Sequence, residues 1–280
     1  TLKIETHQGL LGDAKKTAAL ASELIKGGGC CCVILNTVKQ AQAVYKELKL
    51  ADDQKLLFHA RFTASEREGI TKRDLELFGK DALNRPPKFV LVATQVVEQS
   101  LDVDFDHMIS EIAPVDLLLQ RSGRIKRHAR TKDGRLKDTG DDERGQPVLY
   151  VLLPDNKPKF GPSEKIYQRY PLLTTLEQLK PQSGRAALDL SLPERFRPLI
   201  EATYKSELPD GASEDLREAK EEWDDVQEDL AAQAGEFLLC EPMSDEFDPV
   251  GADEVGDDSD DGNGWRARTR LGLEDVLAIP

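Results

Sequence analysis

The run Phe89–Ala93 (Phe-Val-Leu-Val-Ala) follows Pro86 and Pro87 directly and carries no polar residue. A short, uninterrupted, β-branched apolar run of this kind fits a strand covered on both faces, the place that strands occupy in parallel sheets. A chain organised around such a strand must supply helices to both sides of a sheet. The apolar run breaks at Thr94. Open α/β sheets bind ligands at the carboxyl ends of their strands, so Thr94, Gln95, Glu98, Ser100 and Asp102 are expected at such an edge with their polar groups available. The plainer alternative is that Thr94 caps a short helix.

Other segments repeat the pattern. Helical periodicity covers Asp13–Lys26, Val38–Leu48 and Ala64–Gly79, and strands are predicted at Cys31–Leu35, Lys55–Phe58, His107–Glu111 and Val148–Leu153. An arginine-bearing helix is expected from about Val115, and Lys132–Gln146, rich in Gly, Asp and Lys, reads as an exposed loop. Strands alternating with helices predict an α/β fold with a mainly parallel sheet covered on both faces. After Pro154 the pattern turns helical, with amphipathic stretches at Ile166–Leu179 and Pro193–Tyr204 whose apolar faces are packing surfaces.

At 280 residues and 39% hydrophobic, the chain is long enough for one α/β domain and a smaller second region. Its net charge of −14 is unevenly placed: residues 210–262 hold 21 acidic and two basic side chains, residues 1–209 carry +4, and residues 263–280 carry +1. The body is therefore mildly basic and the acidic block is a separate object, a helix around Ser213–Ala234 followed by a solvated linker. These shifts divide the chain into a domain at 1–155, a helical accessory region at 156–209, the acidic helix and linker at 210–262, and the start of a C-terminal segment at 263–280. No stretch approaches the ~20 apolar residues of a membrane helix, and no signal peptide is visible, so a soluble cytoplasmic protein without a membrane partner is expected. Cys30, Cys31 and Cys32 are consecutive in a predicted strand and point alternately to opposite faces. They cannot form a C-x-x-C clasp, and with Cys240 they read as buried free thiols. No metal site is expected.

The segment Leu119–His128 (LQRSGRIKRH) has the spacing Gln-Arg-x-Gly-Arg-x-x-Arg. On a helix this places Arg124 and Arg127 on one face, and two planar guanidinium forks side by side suit a triphosphate. The alternative is a solvated basic helix, since Arg130, Lys132, Arg135 and Lys137 follow. A polar strand edge one strand earlier favours the first reading.

Together, Ala93–Asp106 (ATQVVEQSLDVDFD) and Leu119–His128 resemble motifs V and VI of superfamily 2 helicases, and the wording of the first is similar to the CRISPR-associated helicase-nuclease of type I interference systems. Cys31–Leu48 resembles motif IV, a strand ending in Asn36 and Thr37 before an amphipathic helix, and Leu56–Arg67 resembles the motif after it, with Ala60 where a serine is usual. Lys126 stands where a histidine is frequent. The motif-bearing likeness covers about residues 30–130. It is looser beyond, at Leu152, Pro193 and Arg270.

The resemblance implies a second RecA-like helicase lobe, an ATP-dependent single-stranded DNA translocase that unwinds DNA for degradation. It implies catalytic roles for Arg124, Arg127 and Gln120, with Asp102, Arg124 and Arg127 approaching ATP. It also implies that Asn36, Thr37, Arg61 and Thr94 contact the single-strand backbone. The implied partners are single-stranded DNA, a first helicase lobe, an HD nuclease domain and a CRISPR surveillance complex. Mg2+ would be held mainly by the first lobe, because no G-x-x-x-x-G-K-[ST] loop is present and Gly27–Gly29 lack its lysine and hydroxyl. A DEFD stretch at Asp245–Asp248 lies in the acidic run without a strand before it. The HD dipeptide Asp106-His107 has only His7, His59 and His128 as further histidines. With Thr1 in place of an initiator Met, these gaps suggest a fragment that is inactive alone. The alternatives are a lobe of another superfamily 2 DNA or RNA helicase, or a non-catalytic nucleic-acid-binding half-helicase with no need of both Arg124 and Arg127.

Overall fold

A computed structural model describes residues 1–98, 102–155, 158–180 and 187–235. Ser100, Cys240, the DEFD stretch, the linker from 236 and the segment 263–280 lie outside the described residues. The chain divides into one unit over Thr1–Leu216 and another from Arg217 onward. In chain order the elements are β1 (Leu2–His7), α1 (Ala14–Leu24), β2 (Gly29–Ile34), α2 (Val38–Glu47), β3 (Lys55–Phe58), α3 (Ala64–Phe78), β4 (Lys88–Ala93), β5 (His107–Glu111), α4 (Val115–Ser122) and β6 (Val148–Leu152). They continue with α5 (Glu164–Tyr167), α6 (Arg169–Leu179), β7 (Ala187–Leu190), α7 (Phe196–Thr203) and α8 (Glu214–Gly235).

Seven strands form one sheet in the order β3-β4-β2-β5-β6-β1-β7. Every neighbouring pair is parallel except β1 with β7, so the sheet is of the α/β class expected. β2 and β4 pair in register from Gly29 with Lys88 to Ile34 with Ala93, and five of the six residues in each are buried. Their unbroken apolar character follows from that central place. Alternate residues feed two layers. Cys31, Val33, Val90, Val92 and Ile109 pack with Ala18, Ala21 and Ile25 of the α1 region and with Ala41, Val44 and Leu48 of the α2 region. On the opposite face Phe89 meets Phe78 of α3 edge-on, with ring centroids 5.3 Å apart, and Phe78 in turn lies against Phe105 at 4.8 Å.

The helix starts are written locally. Asp13 and Thr37 cap α1 and α2 by accepting from the amides of Lys16 and Gln40, and Thr63 with Glu66 makes a reciprocal capping box on α3. Two strands were not legible. β1 (Leu-Lys-Ile-Glu-Thr-His) buries only Leu2 and Ile4, and β7 pairs with it antiparallel as an edge strand of four residues from a region expected to be helical. β7 is the edge strand and β1 lies beside it, and most of their side chains stay partly exposed, so neither run stands out by composition. The three consecutive cysteines are free and buried, and burial pushes the Cys30 thiol up to about 12 and those of Cys31 and Cys32 further. Among the described residues no helix is long and apolar enough to cross a membrane.

Asp74 of α3 is fully buried, and neither of its carboxylate oxygens has a hydrogen-bond partner. Burial pushes its carboxyl up to about 7. In an unfolded chain the same group releases its proton near pH ~4. Between those two values the unfolded state binds fewer protons than the folded one, so stability falls as the pH rises from about 4 to about 7 and stays level above. We expect Asp74→Asn to stabilise the fold at pH 8 by about 2–4 kcal/mol and to bring no gain at pH 4. Denaturant titrations across that range check this; an equal effect at both pH values would mean that the charged carboxylate is satisfied in the folded state.

Candidate nucleotide-facing arginine site

Three aspartates at alternate positions, Asp102, Asp104 and Asp106, bring the two motif segments together. Their neighbours Val103 and Phe105 are fully buried, so the segment runs extended with its acids at every second position. It does not stay at the carboxyl edge of β4, where Asp102 was expected. It lies along the end of α3, where the Asp104 amide donates to the Phe78 carbonyl at 2.9 Å and Val103 bridges to Gly79. β5 is parallel to its neighbours, so the chain must return to the opposite edge before entering it.

Asp104 has no exposed surface on its side chain and receives Arg130 Nε at 2.5 Å and both terminal nitrogens of Arg144 at 3.1 Å. Asp106 accepts from Arg85 Nη2 at 2.9 Å, Arg144 Nη1 at 2.8 Å and the Cys30 amide at 2.6 Å. Burial works against the charged form of Asp106, but Arg85, the Cys30 amide and Arg144 hold its carboxyl below the usual carboxylate range. Asp142 adds a third carboxylate on Arg144 at 2.6 Å, so three acids face three guanidinium groups. Arg130 was grouped with a solvated basic run and Arg144 with an exposed loop. The structure corrects both: Arg130 is 1% exposed and the Arg144 side chain 5%. Lys126, at a positive φ of 48°, fixes the far end of the same loop by donating to the carbonyls of Arg144, Gly145 and Gln146.

This clamp shapes the arginine turn. α4 ends at Ser122 with Gly123 as its cap, so Arg124 and Arg127 are not on one helical face as the spacing suggested. They lie on the turn that follows. It is fastened by Phe105 N to Arg124 O at 2.9 Å, Lys126 N to Phe105 O at 2.8 Å and Arg127 N to Asp104 Oδ1 at 2.8 Å. Arg124 is 9% exposed and donates to the carbonyls of Gln120 at 2.9 Å and Glu98 at 2.7 Å, while its Nε is buried without a partner. Burial first, and the neighbouring Arg127 cation second, lower the pKa of Arg124, yet a guanidinium remains charged at neutral pH. Arg127 is half-exposed and pairs with Asp102 at 2.7 Å, and His128 Nε2 meets the same carboxylate oxygen at 2.9 Å. The Asp102 carboxyl is shifted upward by its partial burial, but His128 and then Arg127 outweigh this and hold it below the usual carboxylate range. Gln120 is exposed at the end of α4. Asp102, Gln120, Arg124 and Arg127 are thus gathered in one neighbourhood, with two cations in close reach of each other.

The strand contacts expected from the sequence separate into two kinds. Arg61 is exposed after β3, and Thr37 is half-buried with its hydroxyl engaged in capping α2. Asn36 and Thr94 are 2% and 3% exposed, so their side chains are not presented at the edge. The Asn36 amide donates to the Ile112 carbonyl at 2.8 Å and the Ser163 hydroxyl at 2.9 Å, and its main-chain N–H donates to Glu111 at 2.7 Å. A polar side chain at a buried strand end is drawn to satisfy the backbone groups there, so the Asn36 amide is already engaged within the lobe.

Residues outside the expected site complete it. Arg121, fully buried, donates to Glu98 through Nε at 2.7 Å, to Ser110 Oγ at 2.7 Å, to the Glu111 carbonyl at 3.3 Å and to the Tyr167 hydroxyl at 2.9 Å. Gln95 donates to the Asn36 carbonyl at 3.0 Å and to the same tyrosine hydroxyl at 2.8 Å. The alternation of the three aspartates was the available signal for Arg130 and Arg144, since acids in a buried segment demand cations. Nothing local marks Tyr167, which lies beyond the strand that follows the motifs.

Removing one member of a buried charge cluster leaves the others uncompensated. Asp104→Asn is expected to cost about 3–5 kcal/mol of unfolding free energy in urea titrations. A cost below about 1 kcal/mol, the range of an exposed pair, would show that the clamp does not hold the turn.

Residues 27–130 match the family model of the CRISPR-associated nuclease/helicase Cas3, C-terminal. The CRISPR-associated endonuclease/helicase Cas3 of Thermus thermophilus is 37% identical over 83% of this chain and 25% of its own length, and that of Escherichia coli is 37% identical over 63% and 19%. The chain therefore spans about a fifth to a quarter of the length of these relatives. Among solved structures, the T. fusca Cas3-ATP crystal structure aligns at TM-score 0.65 and 34% identity over 82% of this chain and 26% of that one. A chain of a CRISPR RNA-guided surveillance complex, pre-nicking, aligns at TM-score 0.67 and 33% identity over 86% and 29%. The matched segment contains the three aspartates, Arg130 and the arginine turn, and the chain belongs to the Cas3 nuclease/helicase family, corresponding to its C-terminal RecA-like region.

Proposed function

We propose that this lobe closes over ATP held by a first helicase lobe and supplies Arg124 and Arg127 to the γ-phosphate, coupling hydrolysis to movement along single-stranded DNA. The observation that carries this reading is the arginine turn itself. Two guanidinium groups stand together, and one of them keeps a buried donor without a partner. A protein that only needed the sheet would gain nothing from a buried donor left unsatisfied, which costs about 1–3 kcal/mol. A phosphate oxygen arriving at the turn would satisfy that donor. Stabilising charge on a transferring phosphoryl group is worth a factor of roughly 10³–10⁵ in rate.

Arg127 contributes differently. Its partner Asp102 neutralises it at rest, so engagement of a phosphate requires the guanidinium to exchange one anion for another. Gln120, exposed next to Arg124, lies where it can order the phosphate end of the cleft. The groups offered to the phosphate are cations and an amide, and the Asp102 carboxylate is taken up by Arg127 and His128, so Mg2+ belongs with the first lobe. Crystal structures of T. fusca Cas3 with ATP and with ADP support nucleotide binding by the family.

The strand would lie across the edge formed by the ends of β2 and β3, touching Arg61 and Thr37. Contacts of this kind go to phosphates and carry no sequence information. Asn36 and Thr94 act from beneath that edge by setting the loops. The HD nuclease domain and the surveillance complex are the further partners, the second supported by the similarity to a chain of such a complex.

In a preparation containing both helicase lobes, Arg124→Ala is expected to lower strand-stimulated ATP turnover by about 10³-fold and to leave single-strand binding within twofold. Turnover assays paired with fluorescence-anisotropy binding to an oligonucleotide test this. Equal loss of both would assign Arg124 a structural role instead.

A further inference from the structure

The turn at 161–163 and helix α5 lie outside the motif segments, yet they place two hydroxyl groups inside the network behind them. Ser163 Oγ accepts from Asn36 at 2.9 Å, and the Tyr167 hydroxyl accepts from both Gln95 Nε2 at 2.8 Å and Arg121 Nη2 at 2.9 Å. Each donor belongs to a different functional region. Gln95 also holds the Asn36 carbonyl, immediately before Thr37 at the edge assigned to the DNA strand. Arg121 also holds the Glu98 carboxylate, and the main-chain carbonyl of the same Glu98 receives Arg124 Nη2 at 2.7 Å. One phenol oxygen therefore joins the strand edge to the arginine turn.

The support for this oxygen is itself rigid. Glu164, at the start of α5, accepts from the Phe160 amide at 3.1 Å and from Arg169 at 3.0 Å, and Arg169 extends to Asp215 at 2.5 Å. The segment is braced at both ends, so Tyr167 is not a side chain resting on the surface of the lobe. Its placement is set by α6 and the residues that follow.

We infer that Tyr167 is a positioning residue that links strand engagement to the Arg124 turn, acting through Gln95 on one side and through Arg121 and Glu98 on the other. The inference rests on the proposed role of Arg124. A shift of the strand edge on DNA binding would displace Gln95, and the shared hydroxyl would pass that displacement to Arg121 and to the carbonyl that orients Arg124. Removing the hydroxyl does not strand its donors, because Gln95 keeps the Asn36 carbonyl and Arg121 keeps Glu98 and Ser110. Tyr167→Phe should fold.

The test measures ATP hydrolysis with and without a single-stranded oligonucleotide, in a preparation containing both helicase lobes, for wild type, Tyr167→Phe, Arg124→Lys, the double variant and Arg124→Ala. Tyr167→Phe is expected to lower strand-stimulated kcat about tenfold, which corresponds to about 1.4 kcal/mol of barrier, with KM for ATP and the unstimulated rate within twofold. Loss of folded protein would lower stimulated and unstimulated rates together, so their ratio separates positioning from stability, and the unfolding midpoint of each variant checks it directly. In the Arg124→Lys background, Tyr167→Phe should add less than twofold, because the residue it acts through is already altered. An unchanged stimulation ratio, or a full tenfold loss on top of Arg124→Lys, would overturn the inference while leaving the role of Arg124 intact. Full turnover in Arg124→Ala would remove the role of Arg124 and the inference with it.

Discussion

The carboxylate of Asp104 is the point on which the functional half of the sheet depends. It has no exposed surface, and it binds Arg130, Arg144 and the main-chain amide of Arg127 at once. Two of these come from segments that contribute no strand, and the third is in the turn that carries the candidate site. A buried ion pair is a poor source of net stability, since desolvation offsets most of the attraction, but it is unforgiving about which partner sits where. Three guanidinium groups placed against three carboxylates admit few arrangements in which every donor is used. The cluster therefore does what an apolar core does less well: it fixes the register of the extended segment Asp102–Asp106 against the loop 126–146. The arginine turn lies between the two.

A second polar network sits behind the first and has a different character. Around Arg121 each connection joins elements distant in sequence: Glu98 after β4, Ser110 in β5, and Tyr167 in α5. Its members are mostly satisfied, but Asn36 Oδ1 and Arg124 Nε are buried without partners. Buried polar groups in folded proteins are nearly all paired, so each unpaired one calls for a physical reason. The two orphans lie at the two faces assigned to external ligands, one beneath the strand edge and one in the arginine turn. In a low-dielectric setting an unpaired acceptor such as Asn36 Oδ1 or donor such as Arg124 Nε binds an incoming group more strongly than an exposed one would.

The sheet was legible where strands are central and obscure where they are peripheral. β2 and β4 announce themselves because burial on both faces excludes polar residues, whereas β7 at the edge and β1 beside it are only partly covered and so carry Lys3, Glu5 and Asp189 without penalty. The arginine spacing pointed to Arg124 and Arg127 as neighbours, but the helix invoked to align them stops at Ser122, and a turn held by Phe105 and Asp104 carries them instead. Periodicity cannot foresee this, since the holding groups are backbone atoms and a side chain from another segment. The same limit explains Asn36. An asparagine at the end of a predicted strand looks available for a ligand, and only the tertiary structure reveals a carbonyl at Ile112 and a hydroxyl at Ser163 within reach of its amide. Arg130 and Arg144 were hidden in plain basic and polar stretches. The pattern that called for them was acidic and lay elsewhere.

The contrast between the two candidate arginines bears on how such a site responds to a phosphate. Arg124 is held in place by two carbonyls and is largely buried, so little rotational freedom remains for it to lose; what it lacks is a partner for one donor. Arg127 is half-exposed and has an anionic partner already, so any new anion has to displace Asp102 or share the cation with it. His128 on the same Asp102 oxygen makes that exchange easier, because the carboxylate keeps a hydrogen-bond partner when Arg127 leaves. If the turn serves a phosphate as proposed, Arg124 provides the preorganised contact and Arg127 the one that moves. A preorganised donor costs no rearrangement at the moment of reaction, and an exchanging one makes the response conditional on the anion that arrives. Closure of a lobe over its nucleotide calls for both, and the aspartate clamp is what keeps them on a single turn.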